Sequence, residues 1–253
     1  MITYEYPFSE KIRTLLRLED IFEKALHFAR KTASREHHAA LMAIFEIFEV
    51  ASRADLKMDL LQELERQRQV LLSNRNESRV SEKLLNGALY EIEQASAAIL
   101  AMVGKIGQHL RENEWLMGIK SRALIPGGVC EFDLPSYHYW QHLSAEKRRE
   151  SLNDWLKPFL PLNGGIAIIL RLLRRSGETL HQVARGELFQ LMPNGVAPQM
   201  VRVSLAPELV LVPEVSANKY VINIRFVHPN KENRANPQEP EVEIPFDVAV
   251  CKL

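Results

Sequence analysis

Cysteine is nearly absent from this chain. The 253 residues hold two, Cys130 and Cys251, too few and too distant for the disulfide framework of a secreted domain. Both are expected to be reduced, buried and inert. A charge excess is missing as well, since 32 Lys and Arg residues balance 32 Asp and Glu. General nucleic-acid binders carry a basic surplus, so that class rests only on local clusters at Lys147-Arg-Arg149 and from Arg171 to Arg175. Long apolar runs are lacking too. The longest, near Ile166 to Leu173, is broken by Arg171 and is too short to span a bilayer. Met1 to Tyr6 has no basic n-region and no apolar h-region. No signal peptide is expected, and the protein is expected to be cytoplasmic.

Catalytic motifs are equally scarce. No Gly-x-x-x-x-Gly-Lys-Ser/Thr loop is present to cradle phosphates, no Gly-x-Gly-x-x-Gly follows a strand, and no Gly-x-Ser-x-Gly elbow occurs. The glycine pairs Gly104-Lys-Ile-Gly107 and Asn163-Gly-Gly165 read as turns or helix ends. His138 and His142 have zinc-ligand spacing on a helix, and Cys130 would supply a third ligand. A zinc protease needs Glu between them as its base, where this chain has Tyr139, and no fourth ligand is evident. The plainer expectation is two half-buried histidines packing beside Trp140. No metal, no cofactor and no enzymatic activity are expected.

What the chain does have is clear periodicity. Residues 2–6 alternate as a short strand ending at Pro7. Ser9 can cap a helix carrying Ile12, Leu15, Leu16, Ile21, Phe22 and Leu26. Further helices are expected from about His37 to Val50, Ala54 to Leu72 and Glu82 to Met102. The last two should pack antiparallel about the polar turn Ser73–Ser78. Two more are expected at Ser136 to Trp155 and Ile166 to Arg175. Beyond about residue 187 the period changes to two, in Leu188–Met192, Met200–Leu205, Lys219–Val227 and Glu241–Val250. These strands predict an antiparallel sheet with one wet face. Residues 2–6 and 123–133 are expected to join it, and Asn230–Pro240 should form a hairpin loop.

The fold class is therefore α+β, with a domain of long antiparallel helices and a mostly antiparallel β-sheet domain interleaved in sequence. The helical domain is expected to take residues 8–115 and 136–180. The β domain would take 1–7, 116–135 and 186–253.

Basic residues offer the main hint of a binding surface. Arg13 and Arg17 lie four apart on one helix face, as do Arg53 and Lys57 at the start of the third helix. On the strand from Lys219, the residues Lys219, Val221, Asn223 and Arg225 share one face, and Tyr220, Ile222, Ile224 and Phe226 the other. The apolar set should face the core. Lys219 and Arg225 would then project into solvent, joined by Arg202 if the register allows. A basic concave face between helices and sheet would suit an acidic extended peptide. An ordinary charged surface would give the same pattern.

One stretch is more distinctive. Arg122-Ala-Leu-Ile-Pro-Gly-Gly-Val-Cys-Glu-Phe-Asp-Leu-Pro135 combines a Pro-Gly-Gly turn, a strand-like run and a second proline before a helix. With Glu10-Lys-Ile-Arg-Thr-Leu-Leu-Arg-Leu-Glu19, the helix Arg53–Gln67 containing Asp59-Leu-Leu-Gln-Glu-Leu-Glu-Arg66, and Ile106-Gly-Gln-His-Leu-Arg111, it resembles the ZapD family of cell-division proteins. The similarity runs through most of the chain. It implies a helical part joined to a β part and no catalysis. It further implies a homodimer that binds the C-terminal tail of the tubulin-like protein FtsZ. Such a dimer cross-links FtsZ protofilaments into bundles that support the division ring at mid-cell.

The resemblance also assigns residues. Arg53 and Arg225 match basic positions that hold the acidic tail. A third basic position falls on Val221, a departure for which Lys219 could stand in. Arg17 and His138 match positions associated with the dimer contact. Two other readings stay open: a dimeric scaffold for an acidic peptide of another cytoplasmic protein, and a metal-dependent hydrolase using His138, His142 and Cys130.

Overall fold

The computed structural model describes residues 1–52, 55–73, 82–192, 197–218, 220–229 and 243–252. The chain divides into two compact units. One joins Met1–Arg13 to Leu170–Leu253, and the other is Thr14–Ile169. The class is α+β, as the sequence implied, with helices and strands alternating along the chain.

The Thr14–Ile169 unit is helical. It contains most of α1 (Glu10–Ala29), then α2 (Ser34–Ala51), α3 (Leu56–Ser73) and α4 (Glu82–Leu100). Short helices follow: α5 (Gln108–Arg111), α6 (Glu114–Ala123), α7 (Pro135–Gln141) and α8 (Ala145–Leu156). A 3-10 turn at Lys157–Phe159 leads into α9 (Leu160–Arg175). Apolar residues at helical spacing are the buried ones, for instance Leu41, Ile44, Ile47 and Phe48 on α2. The stretch Ala145–Arg175 is long and apolar enough to cross a bilayer by length and composition, but half of its most apolar window is buried in protein. That is the signature of a core helix equally well.

The antiparallel pairing of α3 with α4 is fixed by Lys57. Its Nζ donates to the carbonyls of Met102 at 2.8 Å and Leu100 at 3.4 Å. These are orphan acceptors at the C-terminus of α4, where a cation also meets the negative end of the helix dipole. The start of α3 must therefore lie beside the end of α4. The expected turn at Ser73–Ser78 falls, beyond Ser73, outside the described residues.

A buried cation ties four segments of this unit together. Arg148 on α8 is 6% exposed. Its Nε donates to His37 Nδ1 at 2.8 Å, and its Nη atoms donate to the carbonyls of Thr32 (2.6 Å), Gln141 (3.0 Å) and Leu143. Arg148 can only donate, so His37 Nδ1 accepts and the ring proton sits on Nε2, which donates to the Lys31 carbonyl at 2.7 Å. Burial, and after it the Arg148 charge, push His37 below the usual histidine pKa, against the raising pull of the Lys31 carbonyl.

Three sequence expectations are corrected in this unit. The single helix over 136–155 is two, α7 and α8. The chain breaks at His142–Ser144, where the Ser144 hydroxyl accepts from the Lys147 amide and caps α8. The strand expected over 123–133 is absent. Residues 116–123 belong to α6, and the chain then winds through consecutive turns. Amides at Gly128, Cys130, Asp133 and Leu134 bond back to carbonyls three or four residues earlier, at Ile125, Gly127 and Cys130, the pattern of consecutive turns and not of a ladder. Gly127 sits at φ +73°, and a Cβ on Gly128 would lie 2.3 Å from the Arg122 carbonyl oxygen. Cys130 lies in this segment and is exposed, not buried as expected.

The other unit contains two antiparallel sheets where the sequence suggested one. β1 (Ile2–Pro7), β4 (Met200–Leu205), β7 (Glu243–Cys251) and β2 (Thr179–Arg185) form the first, in the order β1-β4-β7-β2. β3 (Leu188–Leu191), β6 (Ile222–Val227) and β5 (Val212–Ala217) form the second, in the order β3-β6-β5. The sheets share one core. Val201, Val203, Leu205, Ile244, Phe246 and Val248 of the first meet Val215, Ile222, Ile224 and Phe226 of the second. The Phe226 and Phe246 ring centroids are 4.9 Å apart. β6 alternates buried Ile222, Ile224 and Phe226 with outward Asn223 and Arg225, so the period-two reading of its core face holds. Cys251 is buried beside Gly177, and burial pushes its thiol pKa up to about 11.

Candidate partner-binding surface

The outer face of the three-stranded sheet is where β6 presents Arg225. Ile222, Ile224 and Phe226 are buried, so Asn223 and Arg225 face outward. Register then names their neighbours. Arg225 has Leu188 of β3 on one side and Glu214 of β5 on the other. Asn223 lies between Gln190 and Ser216, and Gln190 Nε2 donates to Asn223 Oδ1 at 2.9 Å. The Arg225 Nη2 lies 3.8 Å from Glu187 Oε2, with both side chains more than half exposed. Leu188 is an exposed apolar residue in the same row. This face is solvated, largely polar and anchored on a packed core, which suits a peptide laid across it.

Arg202 does not join Arg225. It belongs to β4 in the other sheet, with Glu5 of β1 directly opposite in register. Its Nε is 3.1 Å from Glu5 Oε1, and Arg174 reaches the same carboxylate through Nε and Nη2, both at 2.8 Å. Two arginines thus share one partly buried carboxylate and lock β1 and β4 to the last turn of α9. Period two predicted the outward direction of Arg202 correctly. It could not say which sheet that direction belonged to.

Lys219 and Arg53 lie outside the described residues. Val221, at the departure from the basic pattern, precedes β6 and is half-buried, with its amide donating to Asn218 Oδ1 at 2.9 Å. Lys57 is engaged with the end of α4. Arg17 is exposed on α1.

His138 is carried by α7, a helix with two distinct faces. Inward, Tyr137 stacks on Trp140 with centroids 5.6 Å apart, and Trp115 and Trp155 pack around them. The Tyr137 hydroxyl is 2.7 Å from His38 Nδ1. Burial raises the Tyr137 pKa and lowers that of His38. Outward, Tyr139 is exposed and His138 Nε2 lies 3.8 Å from Glu131 Oε2. The His138 and His142 rings are in contact at 4.3 Å, and His142 Nδ1 donates to the His138 carbonyl at 2.8 Å. Neither ring packs beside Trp140 as the sequence suggested. Both ride on the opposite side of a helix that the aromatic cluster fixes.

Sequence reasoning missed Glu187, Leu188 and Glu214 as neighbours of Arg225. Glu214 went unseen because Pro213 disguised β5 as a loop. A proline is admissible there because β5 is an edge strand. The exposed apolar side chains Leu124, Ile125 and Phe132 of the turn segment were not anticipated either.

Comparison with known proteins finds relatives that match over the whole length. The family profile described as ZapD, cell division protein, matches residues 16–225. A protein named cell division protein ZapD from Dechloromonas aromatica (strain RCB) is 60% identical over 253 residues, covering all of both chains. Its namesake from Azoarcus sp. (strain BH72) is 59% identical with the same full coverage. That from Aromatoleum aromaticum is 56% identical, spanning all of this chain and 98% of the relative. Identity of this order over full length extends to both units, and the chain belongs to the ZapD family of cell division proteins.

Proposed function

We propose that this protein binds the C-terminal tail of FtsZ and, as a homodimer, cross-links FtsZ protofilaments to promote assembly and stability of the division ring. It acts in the cytoplasm at mid-cell and works by binding, not catalysis. Membership in a cell-division family is the setting. The observation that carries the reading is Arg225, an exposed cation on a solvated sheet face at a position matching a tail-binding residue of the family. Arg53 and Lys219 are proposed as further tail contacts. Lys57 and Arg202, grouped with them as tail contacts from the sequence, are held by the end of α4 and by Glu5. Arg17 and His138 are proposed to lie at the dimer contact.

The physics of bundling then follows from valency. One tail held by charge-assisted hydrogen bonds and a few apolar contacts binds weakly, with Kd on the order of micromolar. A dimer offers two sites and a filament offers many tails, so the second engagement is intramolecular and avidity rises without new contacts. Exposed charges are screened by salt, so bundling should fall steeply as ionic strength rises.

The test is co-sedimentation with GTP-polymerised FtsZ from the same organism, intact and tail-deleted. Pelleting and bundling with intact filaments alone is the expected result. Equal pelleting with tail-deleted filaments would move recognition to another part of FtsZ, and no pelleting with either would refute the proposal. Arg225→Asp should abolish tail binding in fluorescence anisotropy without unfolding the protein.

A further inference from the structure

The charges around Arg225 are not those of a simple anion trap. In the three strands of its sheet the charged residues are Arg225 and Glu214, directly opposite each other in register. Glu187, at the turn before β3, brings a second carboxylate to 3.8 Å from the guanidinium. Arg225 is therefore flanked by two carboxylates, Glu214 opposite it on β5 and Glu187 from the turn before β3. A ligand of plain negative charge would gain one attraction there and meet two repulsions.

We propose that Glu187 and Glu214 are specificity-determining residues, and that the segment recognised at Arg225 carries a carboxylate with a Lys or Arg within two residues of it. This deepens the tail-binding reading and rests on it. Adjacent strands stand about 4.8 Å apart, and alternate side chains of an extended peptide repeat every 6.5–7 Å. A peptide lying across the strands thus sets its carboxylate over Arg225 and a neighbouring cation over Glu214 or Glu187. The complement of a cation flanked by two carboxylates is an anion flanked by cations. In the unliganded protein Glu187 holds Arg225, and the ligand carboxylate displaces it while the ligand cation takes up the released glutamate. Matching of this kind discriminates more than it strengthens, since like-charge contacts penalise the wrong partner. Leu188, exposed in the same row, adds an apolar contact.

The experiment is fluorescence anisotropy with three labelled peptides: the FtsZ tail, the tail with every Lys and Arg replaced by Gln, and the tail with every Asp and Glu replaced by Asn or Gln. Each is titrated with the wild type, with the double variant Glu187→Gln/Glu214→Gln, and with Arg225→Ala. For the wild type, removing the cations should weaken binding about three- to tenfold, the size expected for one or two exposed charge pairs. The double variant should restore the cation-free peptide to within about twofold of the parent. Equal binding of the parent and cation-free peptides to the wild type would overturn the inference. So would a deficit that persists undiminished in the double variant. Arg225→Ala separates the two levels. Undiminished binding of the parent peptide there would sink the site itself, whereas lost binding with no effect of the glutamate variants would sink only the charge-pattern inference. Both glutamates are exposed, so their replacement leaves the core intact.

Discussion

Replacing Arg148 by Met is the most demanding test of how the helical unit is held together. Methionine retains the bulk of the stem and removes four donated hydrogen bonds, to Thr32, Gln141, Leu143 and His37. Hydrogen bonds from a charged donor are each worth about 1.5–3 kcal/mol, but their sum overstates the loss, because the variant also escapes the cost of burying a guanidinium. The three carbonyls are part-buried, so water reaches them in part. The loss should therefore fall at about 2–4 kcal/mol, because the groups left unpaired are neutral acceptors and no uncompensated charge remains. Urea titration followed by tryptophan fluorescence suits the purpose, because Trp115, Trp140 and Trp155 all lie in this unit and touch one another. A pH signature accompanies the stability loss. The folded pKa of His37 is depressed, so the unfolded chain binds more protons once pH falls below about 6.5. Wild-type stability from this group is intact above that pH and declines as pH drops toward the depressed folded value. His38, lowered by burial, acts in the same direction. Removing the Arg148 charge lets His37 rise, so the acid-side decline should be shallower in the variant. A loss under about 1 kcal/mol, or an unchanged slope with pH, would refute the network as described.

Other substitutions address single features. Gly107→Ala places a Cβ 2.3 Å from Phe48 Cδ2 at a backbone φ of +74°, and should cost more than about 2 kcal/mol in the same urea titration. Lys57→Met uncaps α4 and should cost about 0.5–1.5 kcal/mol, seen as a lower thermal midpoint. Val210 is a β-branched residue at φ 51°, forced outward between Leu209 and Leu211, which both pack against the β core. Val210→Gly should relieve that strain and raise stability by up to about 1 kcal/mol, and a lowered melting temperature would contradict it.

The sequence made the fold legible wherever periodicity was long and uninterrupted. α1 to α4 and the strands β1, β4, β6 and β7 announced themselves because one face of each is buried. Legibility failed where local hydrogen bonding competed with pattern. The run from Val129 to Phe132 looks like a strand by residue type, yet its flanking amides and glycines commit it to turns. β2 and β5 went unread for a related reason. Edge strands are wet on one side and at one border, so Thr179–Arg185 alternates only weakly and β5 admits Pro213.

The candidate surface shows the same division between direction and neighbourhood. Outward projection of Arg225 and of Arg202 could be read from alternation, because each has core residues on both sides of it in sequence. Which acids they meet could not, because that depends on strand order and register, and neither is written locally. β1 brings Glu5 opposite Arg202 across nearly the whole length of the chain. The pairing turns a presumed ligand-binding cation into a clamp with Arg174. β5 brings Glu214 opposite Arg225, and the β2–β3 turn brings Glu187. Two arginines of similar sequence context thus end in different electrostatic settings. One is locked onto a shared, partly buried carboxylate. The other is loosely held by an exposed one at 3.8 Å and remains exchangeable. Exchangeability, not positive charge alone, is why the proposed tail contact is given to Arg225 and not to Arg202.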